Sequence, residues 1–87
     1  MYLSMIKKYI NQISKEDIGK FAKTNNIFLS SHEISVIEDI IHDESNILSL
    51  LNNKEDIIFN KYKKYFSNSN YLKIKDLYYK YKNKFKY

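Results

Sequence analysis

Apolar residues recur along this chain at spacings of three and four, the repeat of an amphipathic helix. Tyr2, Ile6, Tyr9, Ile10 and Ile13 predict a first helix over about residues 2–12. Ser14 to Asp17 then has the form of a capping box with aspartate as its acid, and Ile18, Phe21 and Ala22 give the second helix its apolar face. Thr24-Asn25-Asn26 ends that helix, and Ile27-Phe28-Leu29 reads as a short extended connector. Ser30 with Glu33 forms a full capping box ahead of Ile34, Ile37, Ile40 and Ile41.

A short fourth helix, capped within Asp43 to Ser45, carries Ile47, Leu48, Leu50 and Leu51. Asn53, with Asp56 at the third position, opens a fifth that bears Ile57, Ile58, Tyr62, Tyr65 and Phe66. Ser67 to Asn70 is a turn or cap, and the remainder is one last helix. The fold class expected is all-α: a single domain over residues 1–87, a compact bundle of five or six short helices. Its expected core is Ile6, Ile10, Ile18, Phe21, Leu29, Ile37, Ile41, Ile58, Tyr62, Phe66, Ile74 and Tyr81.

Composition sharpens this picture. Proline and cysteine are absent and Gly19 is the only glycine. Tight hairpins and phosphate-cradling loops draw on glycine for positive φ, so the chain reads against a β-sandwich and against nucleotide-binding loops. Without cysteine there is neither a disulfide framework nor a thiolate metal site, which fits a cytoplasmic setting. The apolar runs are far shorter than the roughly 20 residues of a membrane span, and the expectation is of no membrane partner. Isoleucine, asparagine, lysine, tyrosine and phenylalanine are all abundant and arginine is missing, the signature of A/T-rich codons. Richness in lysine and tyrosine is therefore weak evidence of binding by itself.

The distribution of charge says more. Residues 1–60 hold six lysines against nine acids, whereas residues 61–87 hold nine lysines against Asp76 alone. An acidic-to-neutral part is thus followed by a basic, tyrosine-rich end, a pattern that suits a polyanion or an acidic protein surface. On a wheel of about 100° per residue, Tyr71, Ile74, Leu77, Tyr78, Tyr81 and Phe85 of the last helix share one stripe. Lys73, Lys80 and Lys84 border it on one side; Lys75, Lys82 and Lys86 border it on the other, with Tyr79 among them. These seven residues, Lys73, Lys75, Tyr79, Lys80, Lys82, Lys84 and Lys86, are the candidate site for nucleic acid or an acidic partner. Tyr79 stands off the stripe, where an aromatic beside cations can stack on a base or pack along its own helix.

Other chemistry is thin. Glu38 and His42 lie four apart, but the rest of a metal shell is missing from the pattern, and no nucleophile–base–orienter set is recognisable. The expectation is of no catalysis, no cofactor, no metal and no small-molecule substrate.

The string Asp17-Ile18-Gly19-Lys20-Phe21-Ala22-Lys23, followed by Asn26-Ile27-Phe28-Leu29-Ser30 and then Glu33 and Ile37, resembles the YqfT-like family, small helical proteins of low-GC Gram-positive bacteria. The resemblance spans roughly residues 6–83. It implies a helix, a connector, a second helix and a basic helical tail, and it implies no catalytic residues.

Two functional classes follow. In the first, the protein docks on a protein partner or on a second copy of itself, as an inhibitor or adaptor. In the second, the basic terminal helix grips nucleic acid without reading its sequence.

Overall fold

The computed structural model describes residues 7–84, so the expected positions Tyr2, Ile6, Phe85 and Lys86 lie outside the described residues. Helix at residues 7–10 realises the later part of the expected first helix. Five longer helices follow: α1 Lys15–Thr24, α2 Ser31–Ile41, α3 Glu44–Leu51, α4 Glu55–Tyr62 and α5 Asn68–Lys84. A 3-10 turn, Lys63–Tyr65, joins the last two. The described chain contains no strand, and the fold is an all-α bundle of short helices.

Local chemistry accounts for most helix ends. Both sequence-read capping boxes form: Ser14 Oγ accepts from the Asp17 amide while the Asp17 carboxylate accepts from the Ser14 amide, and Ser30 and Glu33 do the same. Asp43 caps α3 by accepting from the amide of Ser45 at 2.9 Å. Ser67 starts α5, its hydroxyl accepting from the Asn70 amide.

Two helix stops, those of α1 and α3, are made by asparagine. Asn26 and Asn53 sit at φ of 62° and 60°, in the left-handed region. The amide of Ile27 reaches back to Ala22 O at 2.8 Å, and that of Asn26 to Lys23 O at 2.9 Å. Lys54 and Asn53 repeat this on Ser49 O and Leu50 O. Both are Schellman stops, with asparagine where glycine is usual. Here the structure corrects the reading of Asn53 as the cap of α4: it closes α3, and the N-cap of α4 is Lys54, which makes no side-chain capping bond. Replacing Asn26 by alanine is expected to cost about 1 kcal/mol, the penalty for a Cβ-bearing residue without a locally bonding side chain in this region. Asn26→Gly should cost nothing; equal losses for both in urea unfolding would contradict the assignment.

Gly19 serves packing instead of turning. A Cβ built there would lie 3.3 Å from Ile34 Cδ1, so α1 and α2 approach closely at this point. These two are the most intimately packed helices. The buried apolar residues are Ile18, Ala22, Ile27, Val36, Ile58 and Tyr71. Ile18 and Ile58 take the core places expected of them, whereas Phe21 is 51% exposed. The other described core candidates are half-buried, and among the described residues no large side chain is completely enclosed. The interior is therefore imperfectly sealed.

Candidate functional site

Two buried carboxylates fasten α5 to the rest of the domain. Glu33, 5% exposed, completes its own capping box and also accepts from the Ser67 amide (2.9 Å) and from Asn70 Nδ2 (2.9 Å) at the start of α5. Asn70 Nδ2 additionally donates to Phe28 O at 3.0 Å, tying in the connector. Burial alone would raise the Glu33 pKa. The hydrogen bonds from Ser30, Ser67 and Asn70 outweigh it and hold the group below its ordinary value.

Glu55, at the first turn of α4, does the same further along. Its Oε2 accepts from Lys82 Nζ at 2.8 Å and from the Tyr79 hydroxyl at 3.4 Å. The Lys82 hydrogen bond is the main cause of a lowered Glu55 pKa, against the opposing effect of burial. The same pairing raises Lys82, and Tyr79 is raised by desolvation and by the nearby Glu55 charge. Glu55 Oε1 is buried without a hydrogen-bond partner among the described residues. Its place at a helix start puts the charge where the helix dipole favours it.

The signs of these shifts set an acid dependence. Carboxylates whose folded pKa is depressed contribute stability that is present above the unfolded value, near 4.5 for glutamate, and lost as pH falls through the folded value. Asp17 and Asp43, lowered mainly by hydrogen bonds from Ser14 and Ser45, act in the same direction. Urea midpoints should be flat from about pH 7 to 5 and fall steeply below about 4.5. A midpoint unchanged at pH 3 would contradict the two-carboxylate fastening.

This fastening decides where the sequence-read site residues stand. Tyr79, expected off the buried stripe either to stack on a base or to pack along its own helix, is half-buried: its ring stacks on Phe59 at 6.3 Å and meets Tyr78 edge-on at 5.5 Å. Lys82 is turned to Glu55, and Lys75 lies over the rings of Phe59 and Tyr71, 5.8 Å from each. The Lys75–Tyr79–Lys82 flank is thus α5's packing surface against α4. Lys73, Lys80 and Lys84 are all exposed, on the opposite flank. Lys86 lies outside the described residues.

Between the two flanks, the described stripe residues Ile74, Leu77, Tyr78 and Tyr81 are only partly covered by the other described residues. With α1 and α2 it frames an open apolar cleft of about 770 Å³. Ile18 and Phe21 of α1, Ile37 and Ile41 of α2, and Leu77 and Tyr81 of α5 are its principal walls, with Ile27 and Leu29 of the connector at its base. Phe21 and Tyr81, both on its lining, meet in a tilted ring contact at 5.9 Å between centres. A smaller space of about 180 Å³, sharing Ile37, Ile41, Ile74 and Tyr78, continues toward Phe59 and Tyr62. Among the described residues two charged side chains line the cleft, Asp17 and Lys82, and both already have partners. Ile18, Phe21, Leu29, Ile37, Ile41, Ile74 and Tyr81 of this cleft were legible in sequence as core; that they leave a cleft was not.

Elsewhere the chemistry is structural. Glu38 pairs with Lys15 at 3.8 Å and His42 Nε2 lies 3.3 Å from Ile10 O, so the two are engaged separately. Among the described residues no three potential metal ligands cluster, and no helix is long and apolar enough to cross a membrane. Comparison with family models, curated proteins and solved structures finds no match.

Proposed function

We propose that this chain is a non-catalytic helical interaction module, an inhibitor or adaptor that takes an apolar segment of a protein partner into the cleft between α1, α2 and α5. The observation that carries this reading is the character of the cleft. Its walls are apolar, and the two charged groups on them, Asp17 and Lys82, are committed to Ser14 and Glu55. Small-molecule sites orient their ligand with a few convergent polar groups. Here the available interaction is apolar burial, which suits the seam of an amphipathic helix seated in a groove.

The test is fluorescence anisotropy with amphipathic helical peptides that carry a leucine seam. Leu77→Asp should weaken binding by roughly 30-fold or more, the scale of a lost interface anchor. Leu77 is half-buried, so the variant is checked for a retained helical fold by circular dichroism at the temperature of the binding measurement. A full chain that binds none of the peptides would contradict the reading.

The exposed Lys73, Lys80 and Lys84 favour a second reading, a sequence-nonspecific grip on a polyanion. Three lysines would give a log–log salt slope of about −2 to −3. Affinity for single-stranded oligonucleotide that does not vary with salt would exclude it.

A further inference from the structure

Lys73, Lys80 and Lys84 project from α5 within roughly 40° of one another, at about 100° per residue. They stand next to Leu77 and Tyr81, which wall the cleft. Lys84 Nζ lies 6.0 Å from the centre of the Tyr81 ring, at the lip itself. Asp76 borders this ridge, which nevertheless remains net positive. At a rise of about 1.5 Å per residue the ridge runs about 16 Å along the cleft edge, three turns of a helix lying beside it. The floor and the ridge together specify an occupant. It needs an apolar seam to cover the floor and negative charge on the flank that lies against α5. A nucleic-acid backbone satisfies the ridge and leaves the floor bare, and a neutral apolar segment does the reverse.

Resting on the interaction-module reading, we infer that the partner segment is an acidic amphipathic helix. Its apolar seam lies against Phe21, Ile41 and Leu77, and its glutamates or aspartates face Lys73, Lys80 and Lys84. The ridge lysines are exposed and screened by salt, so they choose among partners more than they add affinity.

Three fluorescent helical peptides with one leucine seam and with glutamate, glutamine or lysine on the flanks separate the possibilities. At low salt the full chain should bind the glutamate peptide best and the lysine peptide worst, by roughly tenfold or more between the extremes, as expected for a few exposed charge pairs. High salt should compress that range. Lys73→Glu, Lys80→Glu and Lys84→Glu combined should reverse the order while leaving the fold intact by circular dichroism. Equal affinities for all three peptides would overturn the inference and leave the cleft reading standing. Binding of none would overturn both. A single-stranded oligonucleotide that outcompetes the glutamate peptide would assign the ridge to nucleic acid and overturn the inference as well.

Discussion

Replacing Tyr71 by alanine is expected to cost about 3–5 kcal/mol, the range for a large aromatic removed from a core. Tyr71 is 8% exposed, meets Phe59 edge-on at 6.1 Å, and has the ammonium groups of Lys63 and Lys75 over its ring at 5.4 and 5.8 Å. It is the buried residue of α5, so its loss removes the apolar anchor of the whole terminal helix. A domain of this size has only about 5–15 kcal/mol of stability in total, and urea unfolding followed by circular dichroism should shift conspicuously. Phe28, 69% exposed, provides the control: Phe28→Ala should change stability by less than about 0.5 kcal/mol. Equal effects at the two positions would mean that α5 is not anchored through Tyr71.

Glu33→Ala should follow closely, at about 3 kcal/mol, because several hydrogen bonds to one buried carboxylate are lost together. The comparison with Ser30→Ala isolates the unusual part. The serine change removes only the side-chain cap of α2, a loss of about 1 kcal/mol. Glu33→Ala additionally strands the Ser67 amide and leaves Asn70 Nδ2 with Phe28 O alone, loosening the start of α5. If both variants lose the same amount in urea unfolding, Glu33 is a helix cap and no more.

That residue shows what the sequence could disclose. Glu33 is legible as the third residue of a capping box, because the motif is local and its partner stands three positions away. Its second task, 34 and 37 residues distant, leaves no trace in local spacing. The helices themselves were readable from apolar periodicity and caps, and their order is the order found. Helix boundaries were less so at Asn53, where a left-handed stop and a cap use the same residue type. The same limit governs the site. The wheel of α5 divides its lysines into two flanks, but which flank meets solvent depends on Glu55, and a carboxylate at the start of another helix is invisible to a helical wheel. Tyr79 and Lys82 are drawn inward by that group, leaving Lys73, Lys80 and Lys84 outward. The cleft was hidden for a related reason. Periodicity marks residues as apolar, and whether they close on each other depends on how far apart three helices settle.

Methyl and aromatic NMR of the full chain, titrated with the glutamate-flanked amphipathic peptide, tests the central claim most directly. Saturable shifts should concentrate on the methyls of Ile18, Ile37, Ile41 and Leu77 and on the rings of Phe21 and Tyr81, with Ile57 and Leu72, both exposed elsewhere, unaffected. Shifts spread evenly over exposed apolar residues, or confined to lysine side chains while the cleft methyls stay fixed, would contradict an apolar cleft as the docking site.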